Sequence, residues 1–246
     1  NSGYFTKLIT DYLDEKPELK PLYHRFPHLS NFKLQLEEKK ESFPQENRNI
    51  LFNEINDQYQ GFAISSLTSE NISLLKETNT FTITTGHQLN LFTGPLYFLY
   101  KIISVINLCK ELKTKYPENN FVPIYWMATE DHDFEEINHF QFRDNKISWN
   151  KESFGPVGRL STEGLDKVYQ VFEQELGIGA NAKFLKTLFQ DGYLKHSNLA
   201  DATRYIANEL FKKEGLVILD GDSVALKKLF IPFAKEELLK QTSFAK

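Results

Sequence analysis

At 246 residues, with 41% hydrophobic and 25% charged side chains, the chain suits a globular protein of one large domain or two small ones. A net charge of -4 and a sequence pI near 5.9 argue against a nucleic-acid surface, which needs clustered Lys and Arg. No apolar run approaches the roughly 20 residues that span a bilayer. The first seven residues carry no signal-peptide pattern, and a lone cysteine, Cys109, excludes an internal disulfide; the expected compartment is the cytoplasm.

Residues 1–78 read as mostly helical and as a segment packing on the core that follows. Leu8, Ile9, Tyr12 and Leu13 make a first short apolar face. After the proline-broken loop "EKPELKPLYHRFPH", Phe32, Leu34, Leu36, Phe43, Ile50, Leu51 and Ile55 recur among Glu, Lys, Gln and Asn. "NTFTITT" (79–85) alternates and is rich in β-branched residues, so it reads as a strand.

Pro95 to Lys113 reads as a helix, with Pro95 at its first position and Leu96, Leu99, Ile102, Ile103, Ile106, Cys109 and Leu112 on one face. Cys109 on that stripe reads as a buried structural thiol. "FVPIYWMA" (121–128) is a continuous apolar run, the mark of a strand buried on both faces. Its Pro123 is expected near the strand's beginning. Strand, helix and strand then make a right-handed parallel βαβ unit.

Residues 145–165 have the mixed polarity and glycines of an inserted hairpin or lobe, placing an insertion at about 143–195. "KFLKTLFQDGYL" and "NLADATRYIANELFKKE" look helical, and "GLVILDGD" (215–222) looks like another buried strand. The fold class is therefore α/β, a Rossmann-like parallel sheet over 79–246 with an N-terminal helical extension. "IPFAKEELLKQTSFAK" (231–246) is an amphipathic helix without a closing element, so the chain reads as a truncated piece of a longer protein.

In such a sheet, ligands bind beyond the carboxyl ends of the strands. Three strand ends here are polar: Thr85-Gly86-His87-Gln88, "TEDHDFEE" (129–136), and Asp220-Gly221-Asp222. Parallel strands would bring them to one edge.

At the first end, Gly86 and Gly94 permit close backbone approach, and the start of the following helix suits an anion. His87 and Lys101 are in reach of that anion. The competing reading is a plain turn, in which His87, Gln88 and Asn90 satisfy loop backbone. Neither GxGxxG nor GxxxxGK[ST] is present.

At the second end, Glu130, Asp131, His132 and Asp133 admit a divalent-metal site, recognition of a substrate ammonium group, or acid–base chemistry by His132. They equally admit a helix start capped by Asp133 with Glu135 and Glu136 in its first turn. Trp126, just before, reads more as core than as a ligand platform, and is kept as a candidate substrate contact. Arg204 is a candidate for a ligand carboxylate, or pairs with an acid; Asp220 lies at the third end.

"TTGHQLNLFTGPLYFLYK", "VPIYWMATEDHDFEEINHF", "VGRLSTEGL", "NLADATRY" and "GLVILDGD" together closely resemble the cysteine-adding enzymes of bacillithiol biosynthesis, densely from about Thr82 onward and more loosely over the first 75 residues. The resemblance implies a ligase that joins cysteine to the amino group of glucosaminyl malate. It also implies a Rossmann core like that of class I aminoacyl-tRNA synthetases with connecting-peptide insertions, and a coiled coil that makes the full-length protein a homodimer.

It further implies ATP or ADP as cofactor. Thr85, Gly86, His87, Gln88, Asn90, Gly94 and Lys101 would then lie at the phosphates, and Asp131, His132 and Asp133 in the substrate pocket; no residue is assigned to a metal. The synthetases' second signature histidine has no evident counterpart here. A metal-dependent hydrolase or phosphoesterase built on Asp131, His132, Asp133 and Asp220, and a non-catalytic assembly module carried by the N-terminal helices, are the competing functions. On the ligase reading, this piece alone is expected to be inactive.

Overall fold

The computed structural model describes residues 3–243, which divide into two compact units, 3–44 with 228–243 and 45–227. The first unit holds α1 (Lys7–Leu13) and α2 (Phe32–Ser42), with Leu36 as its one buried hydrophobic residue among those described. Tyr12, Tyr23, Phe26 and His28 pack as an aromatic group, and Glu38 and Glu15 pair with His24 and His28.

The second unit begins at Gln45, not at the expected residue 79. The reason is packing: α3 (Gln45–Gln58) and α4 (Ser66–Leu74) send Ile55 and Ile72 into the main core, and Arg48 of α3 donates to the Thr80 carbonyl at 3.0 Å. The Ser65 hydroxyl caps α4 by accepting from Thr68 N–H.

The sheet follows in the expected order. β1 (Thr80–His87), α5 (Tyr97–Lys115) and β2 (Asn120–Met127) form the parallel crossover unit. α5 buries Phe98, Ile102, Val105, Ile106, Cys109 and Leu112. Phe98 and Val105 take the core positions expected of Leu96 and Ile103, which face solvent, because the buried stripe runs through 98, 102, 105, 109 and 112 at helical spacing. Each full burial of such a side chain contributes about 1.5–3 kcal/mol. Burial pushes the Cys109 thiol up to about 12, so it stays protonated and inert, as the structural reading expects.

After β2 the chain turns, makes α6 (Phe134–Ile137) and pairs β3 (His139–Phe142) with β4 (Asn145–Ser148) as an antiparallel hairpin. The inserted structure therefore starts at 139, ahead of the expected 143. It continues through α7 (Leu165–Leu176), α8 (Ala180–Phe189) and a π-helical turn at Gln190–Leu194, and it shares one continuous core with the sheet. α9 (Leu199–Phe211) is capped by Asn198. It leads to β5 (Val217–Asp220), parallel to β2, giving the sheet order β1-β2-β5. α10 (Val224–Lys240) ends the described fold; the expected helix over 231–246 stops there, and residues 244–246 lie outside the described residues.

Pro123 is tolerated for a geometric reason. Asn120 and Ala128 N–H donate to Asn79 and His87 carbonyls, so the even-numbered residues of β2 face β1. By the two-residue period Pro123 faces the other side, where pairing with β5 begins only at Ile124.

The outer edge of β5 is closed by side chains. Tyr59 hydroxyl accepts from Ile218 N–H at 2.8 Å, and Arg204 donates to the Ile218 carbonyl at 2.7 Å. The Gln58 amide accepts from Asp220 N–H and donates to the Asp220 carbonyl. Arg204 is thus a clamp on the sheet edge, 2% exposed, and not the ligand contact that its sequence position suggested. Its guanidinium can be buried because Ile218, Gln58 and the Tyr59 ring meet it on several sides.

Candidate functional site

β1, β2 and β5 are parallel, so their carboxyl ends meet at one edge, and the three polar clusters gather there as the topology requires. They are not equivalent. The ends of β2 and β5 are tied to each other. Thr129 hydroxyl donates to an Asp220 carboxylate oxygen, which also accepts from Asp222 N–H at 2.8 Å. Arg159 and Lys227 each pair with Asp222, and Lys227 also reaches Glu130 at 2.6 Å. Arg159 and then Lys227 hold the Asp222 carboxyl below the usual carboxylate range. Gly158 lies so close that a Cβ there would fall 2.6 Å from Thr129 Cβ.

The end of β1 is different. His87 is 6% exposed and wedged between the Tyr97 and Phe98 rings, with centroids 4.9 and 5.2 Å away. Its Nδ1 lies 2.9 Å from the Gln88 carbonyl, which can only accept, so Nδ1 carries the proton. Burial lowers the His87 pKa and favours the neutral ring. Nε2 is then a lone-pair acceptor, and it has no partner among the described residues. A neutral His87 receives a hydrogen bond; it does not give one to a phosphoryl oxygen.

Gln88 reaches across to the second cluster. Its Nε2 donates to Asp131 Oδ2 at 2.9 Å and to Glu136 Oε2 at 2.8 Å. Two carboxylates thus converge on one neutral amide with no cation paired to either among the described residues. The Gln88 bond, then the Asp133 N–H, holds the Asp131 carboxyl below its ordinary range, so it is anionic at neutral pH. Glu136 is the member of this pair that the sequence did not single out; only its position one helical turn beyond Asp131–Asp133 hinted at it.

The segment 129–133 is a turn and not an extended strand. Asp133 takes the cap position of α6 with Glu135 and Glu136 in its first turn, as the capping reading expects, but its side chain makes no cap bond, and His132 is exposed. Among the described residues, no group of three or more His, Cys, Asp or Glu is placed to hold a metal ion, so the ligand set of the metal-hydrolase alternative does not assemble.

Asn90 is buried, donates to the Glu136 carbonyl at 3.4 Å, and leaves Oδ1 without a partner. It is held by an unusual backbone. Phe92, Thr93 and Gly94 all have positive φ (46°, 70° and 52°), and a Cβ at Gly94 would come 2.5 Å from Asn90 Cβ. Two consecutive non-glycine residues in this region need external support. The Phe92 ring packs among Phe140, Phe172 and Phe189 of the insertion, and Phe92 N–H donates to Tyr193 hydroxyl at 2.7 Å. Phe92 lies within the quoted stretch "TTGHQLNLFTGPLYFLYK" but has no role assigned there, and Tyr193 lies in none of the stretches that carry the family resemblance.

Lys101 extends back to the strand end, where its Nζ lies 2.5 Å from the Gly86 carbonyl. Thr85 is half-buried in β1, and the start of α5 has no side-chain cap. Trp126, expected in the core, is 42% exposed. Its register partner Gly86 offers no side chain to cover it, and Gly221 lets the indole lie close against the backbone.

A model of the family described as "Bacillithiol biosynthesis BshC, N-terminal Rossmann-like domain" matches residues 1–246. The chain is 66% identical over 243 residues to a protein of Flavobacterium psychrophilum named "Putative cysteine ligase BshC", covering 98% of this chain and 46% of that protein. Proteins of the same name from Christiangramia forsetii and Bacillus mycoides are 57% and 30% identical, with 98% and 95% of this chain and 46% and 44% of theirs covered. The chain spans about half the length of the curated relatives it matches. By the match over its whole length, and by the parallel α/β core that the structure displays, the chain belongs to the BshC N-terminal Rossmann-like domain family of bacillithiol biosynthesis.

Proposed function

We propose that this domain is the substrate-binding half of a carbon–nitrogen ligase that joins cysteine to glucosaminyl malate through an amide bond. In it, Asp131 and Glu136 receive the ammonium group of one of these two substrates. The observation that carries the reading is the convergence of both carboxylates on Gln88 with no cation to neutralise them. Both substrates bear an amino group, and a pair of carboxylates at a strand end suits an ammonium ion through charge-assisted hydrogen bonds. The unpartnered Nε2 of His87, one residue from Gln88, is an acceptor for a substrate N–H or O–H, or a base for its proton. Asp133, Glu130, Trp126 and Asp220 are secondary candidates; Trp126 is the penultimate residue of β2 and Asp220 lies at the end of β5.

ATP is the co-substrate that the family resemblance implies, and the residues present fit it in part. The uncapped start of α5 and the Lys101 ammonium beside Gly86 would hold phosphate oxygens. When bound, ATP would supply the activation of the cysteine carboxyl group that amide formation needs. The protein's own contribution is to orient the amine toward that carboxyl and to take up its proton. We further propose that the ligase acts in the cytoplasm on small molecules, as a homodimer when full-length, and that residues 1–246 alone do not turn over.

The test is Asp131→Asn and Glu136→Gln in the full-length enzyme, assayed with cysteine, glucosaminyl malate and ATP. Each variant is expected to raise KM for one amino substrate about tenfold or more, from loss of a charge-assisted bond of roughly 1.5–3 kcal/mol, with an unchanged melting temperature. Unchanged KM values for both substrates would remove the ammonium-site reading.

A further inference from the structure

Gly86 is a strand glycine that neither backbone nor packing demands. Its φ lies outside the left-handed region. A Cβ there would meet only the Trp126 carbonyl oxygen, at 3.9 Å. A glycine inside a strand costs about 0.5–1 kcal/mol relative to alanine. Where no bulge or bend requires it, such a glycine marks a place where a ligand or another backbone comes close.

The groups around this gap narrow the ligand's chemistry. His87 and Tyr125 turn their side chains toward α5, where both meet the Phe98 ring. Gly86 and its register partner Trp126 alternate with them and face the opposite side of the sheet. Trp126 is 42% exposed there, with the nitrogen side of its indole laid against Gly221. Thr84, two residues before Gly86, is exposed on the same face. Gln88 comes next in the alternation, because Ala128 N–H donates to the His87 carbonyl and prolongs the β1–β2 pairing. Gln88 in turn holds the Asp131 and Glu136 carboxylates. A hydroxyl, a bare stretch of backbone beside an indole, and two carboxylates therefore follow one another along β1. Cysteine has an ammonium group for the carboxylates but no ring for the gap. An amino sugar has an ammonium group for the carboxylates, a C–H face for the indole and hydroxyls for the threonine.

We propose that Thr84, Gly86 and Trp126 form the ring subsite for the amino-sugar substrate. The ring lies over the Gly86 backbone with its C–H face on the indole. The ammonium group received by Asp131 and Glu136 is then the sugar's and not that of cysteine, a consequence that rests on the ammonium-site reading above. Phosphates at the start of α5 would lie on the other face of the sheet and leave the gap free.

Kinetics of variants of the full-length enzyme test this. Gly86→Val fills the gap with a side chain that strands favour, so the melting temperature should not fall. KM for glucosaminyl malate should rise at least about tenfold while KM for cysteine stays within about twofold. Trp126→Ala should raise the same KM and spare that for cysteine. An unchanged KM for glucosaminyl malate in both variants would overturn the proposal, as would an equal rise in KM for cysteine. A lower melting temperature for Gly86→Val with both KM values unchanged would overturn it too, since another part of the protein would then fill the gap. Asp131→Asn separates the two readings. If it raises KM for glucosaminyl malate and Gly86→Val does not, the ring subsite falls and the ammonium site stands. If Gly86→Val raises it and Asp131→Asn changes neither KM, the ring subsite stands and the ammonium site falls.

Discussion

The β5 corner and the β1 corner lie on one sheet edge with the end of β2 between them and carry similar residues, yet they are opposite in kind. At β5, Thr129, Asp220, Asp222, Arg159 and Lys227 satisfy one another. At β1, the unpartnered Nε2 of His87 and Oδ1 of Asn90 lie beside two carboxylates with no cation. A cluster that completes its own hydrogen bonds holds a fold together; one that leaves them incomplete has affinity to spare for something else. Density of polar residues does not distinguish a site from a brace; the tally of unmet bonds does.

Three changes break or sharpen this contrast. The largest effect is expected at Arg204→Ala. It strips the Ile218 carbonyl and the Gln58 amide of a buried charged donor, so denaturant unfolding should show a loss of about 3 kcal/mol. A loss below about 0.5 kcal/mol would mean the closed corner is no brace. Gly158→Ala comes next. Its new methyl would meet Thr129 Cβ at 2.6 Å and Thr129 Cα at 3.1 Å, which side-chain rotation cannot relieve. Overpacking of this kind costs about 1–3 kcal/mol, read as a lower melting temperature.

The smallest effect is a pH dependence at the open corner. The folded pKa of His87 lies below its unfolded value near 6.5. As pH falls below 6.5 the unfolded chain takes up the proton first, so the stability due to His87 is present above 6.5 and declines below it. In His87→Asn that part of the slope between pH 6.5 and 5 should vanish. An identical slope in both proteins would place the ring's proton elsewhere.

The sheet was legible in the sequence because β-branched alternation, a continuous apolar run and one amphipathic helix are local signals. They predicted β1, α5, β2 and β5 to within a few residues. The meeting of the three polar ends was legible as well, since parallel topology dictates it. Three things were not. Arg204 looked like a ligand contact because a basic residue in a helix says nothing about which strand edge lies beneath it. Glu136 looked like helix decoration because its convergence with Asp131 depends on a turn that brings Gln88 across from another strand. Residues 45–78 looked like an appendage because their apolar positions are sparse and show their value only against the sheet.

The left-handed run at Phe92–Gly94 has a consequence for the order in which the protein takes shape. The ring and the hydroxyl that hold it come from Phe140, Phe172, Phe189 and Tyr193. A ribosome making this chain exposes the His87 corner a hundred residues before it exposes Tyr193. The corner therefore cannot set when its own residues emerge. It needs the inserted lobe in place first, so a lesion in that lobe, far from any polar residue, would be inherited as a defect of the site.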